Sequence, residues 1–349
     1  MRIYKDIFNE IISLENLFLA WDKFKSDKQK KRDVQKFEWQ LEENIFQLHR
    51  DLKYRRYKHG AYSSFYIHDP KQRHIHKAVV RDRILHHAVF NVLEPIFDPT
   101  FISNSFSCRL GKGTHKGVDC LVKMSRRVSR NYTNPCFVLK CDISKFFASI
   151  DHQRLIGIIG KKIRDDRTMC LIKEIISSFN SNQSDSFNKK GLPIGNLTSQ
   201  LFANIYLNEF DQFVKHKLNA NYYIRYTDDF IIIADNRLFL ENIVISVQLF
   251  LIKNLFLKLH PDKIIIRKIN QGIDFLGYVV LPYYILVRTK TKQRIFRKIR
   301  EKIKECKEGR ISNQAIKQSL QSYLGVLSHA NAYEIEQNLK NKFWFWLNE

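Results

Sequence analysis

The sequence predicts an α+β fold, and three observations carry that expectation. Residues 224–234 set Thr227, Asp228 and Asp229 between two runs of β-branched and aromatic residues, the pattern of a β-hairpin with a short polar turn. Residues 137–142 form an apolar run ending on Asp142, the pattern of a buried strand with an acid at its C-terminal end. Residues 201–213 form an apolar, helix-like run, and no low-complexity linker or internal repeat divides the 349 residues.

From the N-terminus, residues 3–19 carry apolar side chains at helical spacing, and residues 23–36 are densely basic. A second helical run, 37–52, leads into residues 53–58, where Tyr54 and Tyr57 alternate with cations. That mixture suits contact with a single strand by stacking and charge, and equally a helix end with snorkelling side chains. Residues 64–75 read as strand, Asp69-Pro70 turn and strand, with Lys71 and Arg73 projecting from the hairpin. Gly111-Lys112-Gly113-Thr114 lacks the spacing of an ATP-binding loop, because Phe106 stands where the first glycine is needed. Residues 290–304 crowd eight cations into a helix-prone segment.

Charge points to a polyanion: 59 Lys plus Arg oppose 35 Asp plus Glu, a net charge of +24. Nucleic acid fits better than membrane, since no apolar run is expected to reach spanning length, and Asp6, Asn9 and Glu10 interrupt any signal-peptide core. A cytoplasmic protein is expected. Six cysteines without a Cys-x-x-Cys pair suggest neither a zinc framework nor a disulfide scaffold, and are expected to be reduced and mostly buried. His86 and His87 fall in a helical stretch, where neighbouring side chains diverge rather than share a metal.

Adjacent acids in a turn are often only solvated turn formers, and Asp142 alone could be a strand cap. Brought together by a sheet, Asp142 and Asp228 could instead hold hard divalent cations for phosphoryl transfer. Two further blocks favour the second reading: residues 191–200 (Gly-Leu-Pro-Ile-Gly-Asn-Leu-Thr-Ser-Gln) and Phe275-Leu276-Gly277-Tyr278.

In this order the blocks resemble the reverse transcriptase family, from about residue 65 to the C-terminus. The resemblance implies a right-hand polymerase, with an antiparallel palm sheet covered by helices on one face and a short helical thumb. Its expected divisions are a basic N-terminal extension (1–60), fingers (61–117 and 151–193), palm (118–150 and 194–284) and thumb (285–349), with no block left for an RNase H, integrase or endonuclease domain. Asp142, Asp228 and Asp229 would be catalytic and, with the backbone of Ile143, hold two Mg²⁺ ions, for which Mn²⁺ could substitute. Lys71 and Arg73 would bind the incoming triphosphate, joined by Ile194, Gly195 and Lys263, the last as a proton donor near the pyrophosphate. Amides of residues 143–147 would face those phosphates, Phe147 would exclude a 2′-hydroxyl, and Phe275, Leu276, Gly277 and Tyr278 would form the primer grip. The implied partners are an RNA template, a DNA or RNA primer and deoxynucleotides.

Within the family the sequence is most similar to the enzymes of diversity-generating retroelements. The usual Gln-Gly-x-x-x-Ser-Pro loop has Ile194 in place of Gln and Gln200 in place of Pro, and residues 105–115 and 322–331 look similar too. That resemblance implies low fidelity, with errors at template adenines, and a small basic accessory protein. An antiphage-defence enzyme with a dedicated structured non-coding RNA is the alternative, followed by a metal-dependent nuclease and a non-catalytic RNA-binding scaffold.

Overall fold

The computed structural model describes residues 2–69, 71–181 and 189–349. Pro70 of the expected Asp-Pro turn, and residues 182–188 within the expected second fingers segment, lie outside the described residues.

Two helices, α1 (Phe8–Ile12) and α2 (Leu14–Lys25), replace the single run expected over 3–19. Ser13 divides them: its backbone is extended, and its hydroxyl accepts from the Asn16 amide at 3.2 Å, capping α2. With α3 (Arg32–Glu38) and α4 (Leu41–Lys53), they pack around the long α5 (Val80–Phe97), burying Trp21, Phe24, Ile45 and Leu48. Ahead of α5, β1 (Ser63–Ile67) and β2 (Arg73–Lys77) pair as the expected antiparallel hairpin.

After α6 (Thr114–Val128) come β3 (Phe137–Asp142), the single turn α7 (Phe146–Ser149), α8 (His152–Gly160), α9 (Asp166–Ser177) and α10 (Leu197–His216). Then follow β4 (Tyr223–Tyr226), β5 (Asp229–Ala234), α11 (Arg237–Leu255) and β6 (Ile265–Lys268). The central sheet runs β4-β5-β3-β6, antiparallel throughout. Phe230 and Ile232 of β5 join a core with α10 and α11, whereas Ile231 and Ile233 join one with α6 and the C-terminal elements. The sheet is therefore covered on both faces, where the sequence reading put helices on one. The uninterrupted apolar run of β5 is the physical reason, since a strand with one wet face would alternate. A register slip of one residue would move Asp142 by about 3.3 Å and turn it to the wrong face, so this burial fixes the site.

A second sheet, β7 (Ile273–Phe275), β8 (Tyr278–Leu281) and β9 (Tyr284–Val287), carries the helices α12 (Thr289–Lys307), α13 (Asn313–Leu327) and α14 (Tyr333–Asn348). Ile295, Ile299 and Ile303 point α12 inward, so its cations spread around the rest of the helix. Arg297 and Lys298 reach the tip of the β1–β2 hairpin and pair with Asp69 at 3.0 and 3.4 Å.

Two expectations are corrected. One helix among the described residues, α11, is long and apolar enough to cross a membrane by length and composition. Its row Leu240, Ile243, Val247, Leu251 and Leu255 is buried in the core with the central sheet and α10, and the outward face, including Ile245 and Leu249, is also apolar. The cysteines are free but not mostly buried: Cys136 and Cys141 are inside, whereas Cys108 and Cys170 are exposed, because only the first two lie on or beside β3.

Candidate active site

β3 ends at Asp142 and β5 begins at Asp229, and register sets the two directly opposite. Thr227 and Asp228 form the two-residue turn between β4 and β5, and only Thr227 has positive φ, 55°. A β-branched residue is strained there, at a cost of about 1–3 kcal/mol. Its surroundings hold it in place: the Thr227 hydroxyl donates to Ser107 Oγ at 2.6 Å, and its carbonyl accepts from Arg225 at 3.1 Å. The segment around Ser107 is itself laid along β4, through Arg225 N–H to the Asn104 carbonyl (3.0 Å) and Phe106 N–H to the Arg225 carbonyl (2.9 Å). Residues 105–115, read above only as part of a resemblance, thus begin by bracing the turn.

Arg225 is fully buried and forks onto Asp211 of α10, with two bonds of 2.7 Å. Tyr223 donates to the same carboxylate at 2.7 Å, and Asn204 accepts from Arg225 at 3.2 Å. Sequence reading missed this cluster. Its signal was available: an arginine between Ile224 and Tyr226 in an apolar strand needs an anion opposite it.

A cavity of about 1430 Å³ opens above the turn. Its lining brings together Lys71, Arg73, Asp142, Ile143, Phe147, Ile194, Gly195, Asp228 and Lys263, nine of the residues expected to act together. Ile143 is almost wholly buried at the cleft wall. Ile143 N–H is bound to the Asp228 carbonyl at 3.2 Å and Ser144 N–H to the Lys258 carbonyl at 2.8 Å, so these two amides do not face the cleft as expected. The Ile194 carbonyl accepts from His76 N–H at 3.0 Å, tying the 191–200 loop to β2. Gly195 follows with φ 127°, and a side chain there would press within 3.3 Å of the His76 carbonyl. Phe146 is core, and Phe147 lines the cleft.

Burial and mutual repulsion crowd the carboxylates at the turn, although cations outnumber acids in the cleft as a whole. Burial, and then the neighbouring Asp142, push the Asp228 carboxyl above its ordinary range. Asp229 is raised to about 6 by burial, against the pull of Lys140 and with help from Asp142 and Asp228. Lys263 holds Asp142 at 2.6 Å, and Lys140 lies 3.6 Å from Asp229. Asp229 is absent from the cleft lining; it shares a sheet face with Asp142 but is turned to Lys140, and one of its oxygens is buried without a hydrogen-bond partner. Among the described residues no three His, Cys, Asp or Glu side chains converge as a ready-made cage. Two carboxylates in one cleft still fit Mg²⁺, which is commonly held by one or two carboxylates, substrate phosphates and water.

The expected primer grip lies outside the cleft lining and divides. Phe275 and Tyr278 are buried anchors, Tyr278 donating to the Val326 carbonyl at 2.9 Å, while Leu276 and Gly277 form the accessible β7–β8 turn. Both turn residues have positive φ, 50° and 93°, as the tight turn requires.

A helix-flanked antiparallel sheet, with its acids at a hairpin turn beneath a cation-lined finger, defines a right-hand polymerase. The chain belongs to the Reverse transcriptase (RNA-dependent DNA polymerase) family, whose pattern matches residues 67–280. It is similar to Protein YkfC of Escherichia coli (27% identical over 232 residues, 57% of this chain and 60% of that protein). It is also similar to the Group II intron-encoded protein LtrA of Lactococcus lactis (29% over 177 residues, 50% of this chain and 28% of that protein). The fold resembles telomerase from Candida albicans, solved with a TWJ fragment of telomeric RNA (TM-score 0.50, 12% identity, 85% of this chain and 56% of that chain). The chain spans less than two thirds of the length of these proteins.

Proposed function

We propose that this chain is an RNA-directed DNA polymerase. The observation that carries the reading is the convergence of Asp142 and Asp228 in one cleft with Arg73, Phe147 and the 194–195 loop. Asp142 and Asp228 would hold the metals. Bound there, two Mg²⁺ ions would acidify the primer 3′-hydroxyl and neutralise the leaving pyrophosphate. Arg73 engages the triphosphate with planar, permanently charged donors, and Lys71 adds charge beside it. Lys263 pairs with Asp142 at 2.6 Å and orients it until substrate arrives, and then serves the pyrophosphate. Primer extension on an RNA template with deoxynucleotides and Mg²⁺ tests the reading; an intact protein that adds no nucleotide overturns it.

Phe147 sets the sugar preference in this reading. Phe147→Ala is expected to raise ribonucleotide incorporation relative to deoxynucleotide, measured by single-nucleotide extension with each. An active variant with unchanged preference would remove the steric-gate role.

The finer reading is a diversity-generating retroelement enzyme acting in the cytosol, supported by Ile194 and Gln200. Ile194 offers the nucleotide shape where an amide could hydrogen-bond it. Ile194→Gln should therefore lower misincorporation several-fold, the equivalent of roughly 1 kcal/mol. Equal error spectra for the two proteins count against it. The curated relatives include an intron-encoded protein, so the genomic neighbourhood decides the role: a template repeat paired with a variable repeat supports the retroelement reading.

A further inference from the structure

The groove between α12 and α14 lies apart from the cleft, and none of its lining residues reaches the active-site cavity. Its walls present Lys292, Arg300 and Lys304 from α12 and Lys342 from α14, with the rings of Phe296 and Trp346 between them. Two contacts cross it in opposite senses: the Arg300 guanidinium sits 5.8 Å over Trp346, and the Lys342 ammonium 5.4 Å over Phe296. Among the described residues these four cations have no carboxylate partner, and the one acid of the groove, Glu301, is already held by Lys298 at 3.0 Å and Arg297 at 3.6 Å. A cavity of about 780 Å³ is thus lined by unpaired positive charge and aromatic faces.

We propose that this groove binds a single-stranded segment of RNA, at a site separate from the one where nucleotides are added. Phosphates match the four unpaired cations, and bases find rings and a guanidinium plane on which to stack. A duplex keeps its bases stacked inward and cannot use those rings. Packed helices also lie only about 8–10 Å apart, so the furrow between α12 and α14 suits one strand. Gln293 and Asn338 stand on opposite walls with amide oxygens that can accept from a ribose 2′-hydroxyl, a donor that DNA lacks. The eight-cation run read in the sequence as one surface for a template–primer duplex therefore divides: Lys292, Arg300 and Lys304 line the groove, Lys298 turns to the hairpin tip, and Arg297 stands at the boundary, lining the groove while paired with Asp69.

The inference does not depend on polymerase activity, so the test reads binding rather than extension. In the full chain, with the cleft saturated by an unlabelled template–primer duplex, fluorescence anisotropy follows a labelled, unstructured 12-nucleotide RNA. Lys342→Glu and Trp346→Ala are each expected to weaken binding about tenfold, and Trp346→Phe, which keeps a ring, to retain most of it. Lys342 is exposed, so its replacement leaves the fold intact. Affinities within twofold of wild type for both Lys342→Glu and Trp346→Ala overturn the proposal. So does release of the RNA by further duplex, which would put it in the cleft, or equal binding of the matching DNA strand.

Discussion

Asp228→Asn is expected to leave a folded protein that extends a primer about a thousandfold more slowly, a loss of roughly 4 kcal/mol of transition-state stabilisation. Asn keeps the size and the turn-forming character of Asp but loses the charge that a divalent ion needs. The turn itself survives, because Thr227 and its partners Ser107 and Arg225 hold it through bonds that do not use the Asp228 side chain. Burial and Asp142 both oppose ionisation of Asp228 in the metal-free protein. The substitution should therefore leave thermal stability unchanged or slightly raised while activity collapses. Extension assayed beside a melting curve separates the two effects, and a variant that extends at the wild-type rate would falsify the metal-ligand role.

Asp211→Ala should have the opposite profile, a loss of stability of about 3–5 kcal/mol. Arg225 would keep its charge in a fully buried position while losing the two 2.7 Å bonds that compensate it, and Tyr223 would lose its acceptor. Since Arg225 also supports the Thr227 carbonyl, the damage reaches the turn. Pairing the change with Arg225→Met should recover much of the stability by removing the stranded charge, without restoring the brace. Chemical denaturation of both variants checks this; a single variant as stable as wild type would show the pair to be dispensable.

What was legible in the sequence was what local pattern encodes. Two β-branched and aromatic runs around a polar turn placed the Asp228 hairpin, an apolar run placed β3, and the order of short blocks placed Arg73, Phe147, Ile194 and Lys263 around one cleft. Interactions that depend on register in three dimensions were not legible. Nothing local says that Lys140 turns Asp229 aside, that Asp211 answers Arg225, or that the amides of Ile143 and Ser144 are taken by the Asp228 and Lys258 carbonyls. Periodicity also misjudged extent: Ser13 cut one expected helix into two, and α11 proved long and apolar on both sides, although only one of them packs in the core. Buried acids and bases within apolar runs are the sequence signal most worth weighing, since each demands a partner that only the fold supplies.

The contact of Asp69 with Arg297 and Lys298 joins the hairpin tip to α12, and the His76–Ile194 bond joins the hairpin's other end to the loop above the sheet. The hairpin is thus tied at both ends, at its tip by charge and at its base by a backbone hydrogen bond. Exposed ion pairs contribute only about 0–1 kcal/mol and weaken with salt, so the tie at the tip is the one that rising ionic strength loosens first. Lys71 and Arg73, which stand between the two ties, should then keep their place over the sheet through the base alone.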